Sequence, residues 1–345
     1  MAVARDQALN AYFRRPRLLR PLTEGHVNDS WLVATGDHRF VVQRINGGVF
    51  KDPTVAARNF VNASRLVRSR DVRTLTVRKT RSGEPWFVDG AGGIWRAYAY
   101  VEGRVPPTRS PQAMHDVAFA FGAFDRALDA IDATQFAPAI ARFHDFGHRM
   151  RQFDRVVAAD RGGRVVACEA DIALLRRLVA QVRSLDEFAM WSRQPPRLVH
   201  NDAKPANLLR HSPKLPCVID LDTVGPGRLG YDLGELVRSA IADDDDDSPL
   251  DPVTVERTWS GFLSGWRQPL ARAEQVVVPI AGIVLALELA SRYLADHLDG
   301  DWYFAADPGA STRQRAQRQM RRAARQLDAL DDLRERAENL LSSRS

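Results

Sequence analysis

The chain has 345 residues, enough for two domains or one bilobal domain with a sizeable core. Its 45% hydrophobic and 27% charged residues are the composition of a globular protein. The net charge of +6 and pI near 9.7 arise from 49 basic residues scattered among 43 acids, with no basic cluster carrying interleaved aromatics, so a nucleic-acid face is not expected. Four lysines stand against forty-five arginines, a compositional habit that modestly favours anionic ligands. Cys168 and Cys217 lie in apolar contexts without metal-ligand spacing, which fits a reducing cytoplasm. The longest apolar run, residues 276–287, contains Pro279 and stops at Glu288, so a core helix is expected there and no membrane partner. The basic residues Arg14, Arg15, Arg17 and Arg20 are followed by no apolar stretch of leader length.

In chain order, residues 1–20 read as a short amphipathic helix. Glycine, asparagine and aspartate over residues 25–29, ahead of the apolar run 31–34, predict a turn between two strands. Residues 39–45 form a β-branched third strand that ends in Gln43-Arg44-Ile45. Asp52 and Pro53 then open a helix to about residue 68, the aspartate as cap and the proline at the first helical position. Two further strands are expected over 74–79 and 85–88. Residues 93–103 follow, and their last part, with Tyr98 and Tyr100, reads as an extended connector.

From Pro111 the period becomes helical, and Phe119, Phe121, Phe124 and Leu128 share a core-facing side. Phe143-His144-Asp145 and residues 152–160 are expected to continue in helix, with a turn at Gly162-Gly163 and another helix over 171–184. Asp232-Leu233-Gly234-Glu235 has the form of a capping box, and Asp232 could also brace the loop before it. Asp243 to Asp247, five acids in a row, predict a solvated loop. Residues 313–341 are helical, with Met320, Ala324, Leu327 and Leu330 along one apolar stripe. No internal repeat and no long linker interrupts the chain.

The densest chemistry lies in residues 198–226. His200-x-Asp202-x-x-x-x-Asn207 places a carboxylate and an amide five residues apart, and Pro205 between them breaks any helix, so both can converge on one site. An apolar run, residues 217–219, then delivers Asp220 and Asp222 into a Gly/Pro turn. Asp220 follows Asp202 by eighteen residues (220 minus 202), room for two short strands and a turn. Metal-assisted phosphoryl transfer needs a carboxylate to accept the acceptor's hydroxyl proton and oxygen ligands to hold Mg²⁺ against ATP phosphates. Asp202 fits the base, Asn207 and Asp220 fit the metal ligands, and Asp222 fits a second ligand or a partner behind them. Lys204, two residues past the base, is placed to touch the γ-phosphate.

This pattern is close to a protein-kinase catalytic loop. It predicts an α+β bilobal, protein-kinase-like fold: a small β-rich lobe over residues 1–97, a hinge at 98–104, and a larger, mostly helical lobe over 105–345. The turn at 25–29 would then cover the phosphates, and the hinge with Tyr98 and Tyr100 would meet the adenine. One departure stands out: the third strand has no lysine and the helix after it no acid, so the usual Lys-Glu pair is missing. Gln43 or Arg44 could take over the phosphate contact, or the nucleotide could rest on Lys204, Mg²⁺ and backbone groups.

Across its whole length the chain resembles the aminoglycoside phosphotransferase-type small-molecule kinases, and within them most nearly the bacterial N-acetylhexosamine 1-kinases. The resemblance rests on the catalytic block, Gly25-His26-Val27-Asn28-Asp29, Gln43-Arg44-Ile45-Asn46, Trp95-Arg96, Phe143-His144-Asp145, Tyr231-Asp232-Leu233-Gly234 and Gly300-Asp301-x-Tyr303-Phe304. It implies ATP- and Mg²⁺-dependent phosphorylation of the anomeric hydroxyl of N-acetylglucosamine or N-acetylgalactosamine. It also implies that His26, Thr223, Arg292 and Tyr303 hold the sugar, although Arg292 could instead pair with Glu288 one turn away. Two rivals are the same chemistry on another hydroxylated acceptor, and a non-catalytic binding protein on the same scaffold. The acidic run 243–247 favours a cationic acceptor such as an aminoglycoside.

Overall fold

In the computed structural model, which describes residues 2–23, 27–108, 110–211, 214–241, 250–304 and 310–344, a small sheet lobe sits above a helical lobe. The first part runs α1 (Ala2–Tyr12), β1 (Arg17–Leu22), β2 (Asp29–Thr35), β3 (His38–Arg44), α2 (Pro53–Leu66), β4 (Arg73–Thr74), β5 (Val77–Arg78), β6 (Phe87–Val88) and β7 (Ile94–Ala99). The helix expected over 1–20 stops at Tyr12 because Pro16 ends any helical run, and the chain turns into β1. The sheet order is β1-β2-β3-β7-β5, with β6 also on β7. Register sets Gln43 opposite Arg96 and Arg44 opposite Trp95. Strand alternation then gives the sheet two different faces. Val42, Trp95 and Ala97 pack under Tyr12 and Phe13 at the α1 end, while Gln43, Arg96 and Tyr98 face α2.

Asp52 caps α2 as expected, its carboxylate accepting from Thr54 N at 3.0 Å. The strand expected over 74–79 splits between two sheets. Val77–Arg78 stays on β7, whereas Arg73–Thr74 pairs in parallel with a strand of the other lobe and ties the lobes together.

The helical lobe runs α3 (Pro111–Asp129), α4 (Phe146–Ala159), α5 (Glu169–Arg183), α6 (Phe188–Trp191), β8 (Arg197–Val199), β9 (Leu208–His211), β10 (Lys214–Val218), β11 (Gly225–Gly227), α7 (Leu229–Ala240), α8 (Pro252–Trp266), α9 (Arg272–Val276), α10 (Ala281–Asp299), α11 (Thr312–Asp328) and α12 (Leu330–Ser342). Helices α3 and α8 cross backbone to backbone because glycines line the crossing. A Cβ at Gly122 would lie 2.1 Å from Phe262 O, and one at Gly265 2.1 Å from Phe119 O. Helix α10 is the core helix expected from the apolar run; the segment Val278–Asp299 is long and apolar enough to cross a bilayer, and 78% of its most apolar 18-residue stretch is buried in the lobe. The helix expected over 313–341 is two, broken at Ala329. The acidic run 243–247 lies outside the described residues.

Two local expectations are corrected. Phe143 and His144 precede a helix instead of lying in one: Asp145 caps α4 by accepting from His148 N at 2.8 Å. Asp232 opens no helix either. Helix α7 begins at Leu229 behind Arg228, and Asp232, fully buried in its first turn, reaches the loop after β8.

Candidate active site

The loop from His200 to Asn207 is held by its backbone. Strand β8 leads into it, paired antiparallel with β11, and β9 leads out of it, paired antiparallel with β10. The buried His200 ring lies against Phe121 and Phe124, 5.3 and 5.6 Å away, and its Nε2 donates to Ile219 O at 3.0 Å, joining the loop to the strand that carries Asp220. Asp232 Oδ2 accepts from His200 N at 2.7 Å and Asp125 Oδ1 accepts from it at 3.2 Å. On the other side His144 contacts Asn201 O at 2.8 Å through Nε2 and Glu288 at 3.1 Å through Nδ1. Both partners are acceptors, so both ring nitrogens carry protons. Burial lowers the His144 pKa, but the Glu288 carboxylate outweighs that and raises it.

On this frame the expected residues converge. Lys204 Nζ lies 2.7 Å from Asp202 Oδ2, and Asn207 Nδ2 donates to Asp202 O and Oδ2, each at 2.9 Å. With its N–H₂ spent, Asn207 has Oδ1 left for a cation. Burial alone would raise the Asp202 carboxyl, yet Lys204, His200 and the Asn207 amide hold it below the usual carboxylate range, so it is ionised at neutral pH. Asp220 takes a left-handed backbone (φ 57°) at the end of the strand run and opens onto the cleft. Its recess, together with the charges of Asp222 and Asp202, pushes its carboxyl up to about 7. Among the described residues no three His, Cys, Asp or Glu groups make a ready metal cage. A hard amide oxygen beside a carboxylate crowded by like charge fits Mg²⁺, which keeps waters and binds with substrate phosphates.

Asp222 has both oxygens engaged. Oδ1 pairs with Arg96 and Oδ2 accepts from Asn28 Nδ2, the arrangement of a partner behind the Asp202–Asp220 cleft. Arg96 is 2% exposed, lies 4.1 Å over the Phe60 ring and donates to Gln43 Oε1 through Nε at 2.8 Å. The missing strand lysine and helix glutamate are thus replaced by a relay, Gln43 to Arg96 to Asp222, from the sheet to the metal loop. Gln43 supports that relay, while Arg44, on the opposite face of the sheet, sits 4.0 Å from Asp89 and away from the cleft. Tyr98 packs 5.5 Å from Phe60, and Tyr100 lies under the Arg39 guanidinium at 5.0 Å.

A cavity of about 280 Å³ lies beside Asp202, and Lys204, Asp220, Thr223, Arg292 and Tyr303 line it. Thr223 Oγ1 donates to His200 O at 2.9 Å. The Arg292 guanidinium is stacked between Phe143 and Phe304, 5.1 and 5.5 Å away, and stands 4.0 Å from Glu288, a loose pair. His26 lies outside the described residues. Sequence reasoning missed Arg96, Asn28, Asp125 and the Glu235–Arg238 ion pair that also lines the cavity. The signal for Arg96 was an arginine at an inward position of an otherwise apolar strand; nothing local marks Asp125.

Residues 18–270 match the model of a family described as the phosphotransferase enzyme family, APH. Among solved structures the chain is similar to an aminoglycoside phosphotransferase from Alicyclobacillus acidocaldarius, at 16% identity and TM-score 0.64, covering 97% of this chain and 96% of that one. It is similar to a microcompartment-associated aminopropanol kinase, at 21% identity and TM-score 0.65, over 100% and 98% of the two chains. An amicoumacin kinase in complex with AMP-PNP and Ca²⁺ aligns at 14% identity and TM-score 0.58, over 96% and 93%. At these identities the likeness is one of fold.

Proposed function

Because this chain belongs to the phosphotransferase enzyme family, we propose that it transfers the γ-phosphoryl group of ATP to the anomeric hydroxyl of an N-acetylhexosamine, GlcNAc or GalNAc. The observation that carries this reading is the convergence of Asp202, Lys204 and Asp220 on a cavity that Thr223, Arg292 and Tyr303 also line, with Asn207 hydrogen-bonded to Asp202 behind them. Residues 1–97 and 105–345 act as the two lobes, and 98–104 as the hinge whose backbone meets the adenine edge, flanked by Tyr98 and Tyr100.

Asp202 is ionised, and one oxygen is fixed by Lys204 and Asn207. Its other oxygen accepts the sugar hydroxyl proton as the O–P bond forms and the bond to the β-phosphate oxygen breaks, releasing ADP. An anomeric hydroxyl is more acidic than an ordinary alcohol, so a carboxylate of low pKa suffices. Lys204 carries a raised pKa despite its burial, because Asp202 and Asp220 face it, and stays charged to neutralise the moving phosphoryl group. When bound, Mg²⁺ would be held by Asn207 and Asp220 and neutralise the β- and γ-phosphates. The other chain groups orient: the Gln43–Arg96–Asp222 relay positions the metal loop, and His26, Thr223, Arg292 and Tyr303 hold the sugar.

The Arg292 cation at the acceptor end disfavours the polycationic aminoglycosides and favours a neutral, hydroxylated acceptor. An ADP-release assay with GlcNAc, GalNAc, glucose, galactose and kanamycin side by side tests the reading. Mg²⁺-dependent release with an N-acetylhexosamine well above the others is expected. Preference for kanamycin or another acceptor overturns the sugar assignment while leaving the kinase.

A further inference from the structure

Beyond the acceptor cavity lies a second one of about 400 Å³ that shares Arg292, Tyr303 and Phe304 with it as a common wall. Its far side carries Trp302, which is 83% exposed; among the described residues, Trp302 and Tyr303 are the aromatics left in the open. An exposed tryptophan forfeits the large burial its ring would give, so a bare one beside a cavity marks a contact surface. This ring is nevertheless held in place, its Nε1 donating to Asp299 O at 2.8 Å.

The rest of the lining mixes apolar residues such as Phe153 and Val156 with polar groups that are only partly used. Arg149 donates through Nε to Phe143 O at 3.0 Å and through Nη1 to Gln152 at 3.1 Å, with no partner for Nη2 among the described residues. Lys51 faces the same space, and the Asp299 carboxylate adds an acceptor. An aromatic face bordered by donors and by the Asp299 carboxylate, with Asp296 already accepting from Tyr303 N and Phe304 N, suits a sugar ring, whose C–H face stacks while its hydroxyls bridge to the charged groups.

We propose that this adjoining cavity is a second sugar subsite, so that the acceptor is an N-acetylhexosamine carrying another ring on the side away from its anomeric hydroxyl. The proposal rests on the N-acetylhexosamine reading of the first cavity. The reducing ring sits beside Asp202, and the second ring crosses the Arg292–Tyr303 wall to lie on Trp302 and Arg149.

The test compares kcat/KM for GlcNAc with that for β1,3- and β1,4-linked disaccharides ending in reducing GlcNAc, in the wild-type chain, Trp302→Ala and Trp302→Phe. One of the disaccharides is expected to exceed GlcNAc about tenfold, mainly through KM. That ratio falls at least fivefold in Trp302→Ala and is partly kept in Trp302→Phe, while melting temperatures stay together because the ring is outside the core. GlcNAc turnover with no gain for either disaccharide, or a ratio unmoved by Trp302→Ala, overturns the subsite alone. No ADP release with any of these sugars overturns the acceptor assignment itself and the subsite with it.

Discussion

Two buried carboxyls beneath the catalytic loop give the sharpest case at the level of single residues. Asp125 and Asp232 both accept from His200 N, and their remaining oxygens, Oδ2 and Oδ1, are buried without another partner. A proton shared between those two oxygens satisfies both. Burial, reinforced by the neighbouring acid, pushes Asp125 well above the usual carboxylate range, and burial pushes Asp232 up to about 7. A raised folded pKa means that the pair's contribution to stability is complete below the unfolded value near 4 and is lost as pH rises through about 7. Asp125→Asn keeps a donor between the two groups without a titrating proton. Relative to wild type, its melting temperature is expected to rise by a few degrees between pH 4 and pH 8.5; parallel curves in a thermal pH series would refute the shared proton. Arg96 carries the second residue-scale expectation. Its removal leaves the buried Asp222 charge unpaired, so Arg96→Ala should cost about 3–5 kcal/mol in denaturant unfolding. Arg96→Ala/Asp222→Ala together should cost less than the sum of the two single changes, and strict additivity would dissolve the pair.

At the level of elements, the catalytic loop depends on what presses on its backbone. His144, from the segment before α4, links Asn201 O to Glu288 on α10, and with acceptors on both nitrogens it acts as an imidazolium. Its raised pKa makes this brace complete below about 6.5 and lost as pH climbs through the higher folded value. Glu288→Gln removes the anion that raises it. The alkaline limb of the kcat profile is therefore expected to move to lower pH than in wild type, and superimposable profiles would sever the brace from catalysis. These ties explain what could be read beforehand. The Asp52-Pro53 start of α2, the apolar α10 and the tight loop around Pro205 are local patterns and were legible. For Asp232 the capping pattern was local and did not hold, while its alternative role of bracing the loop did, through His200 N, 32 residues away, which no local spacing fixes. The break of the 74–79 run between two sheets was equally hidden, since the pairing of Cys217 with Arg73 spans the chain.

For the whole molecule, the two lobes meet through β4 on β10 and through Gln43, Arg96 and Asp222, so the small-lobe sheet is linked directly to the loop that carries Asp220 and Asp222. Where β3 lacks a lysine, the neighbouring strand β7 supplies a buried cation, Arg96, whose partners are Asp222 and Gln43. Which residues would line the cleft was readable for Asp202, Lys204 and Asp220, whose spacing is dictated by chemistry. Arg96 and Asn28 were not, because their roles exist only once the lobes close on each other. The account stands on Asp202 as the base in a site that binds ATP and Mg²⁺ independently of it. The direct measurement is kcat for Asp202→Asn together with thermal protection by ATP and Mg²⁺. Turnover is expected to drop by roughly 10²–10⁴-fold while the protection persists; wild-type turnover in that variant would contradict the account.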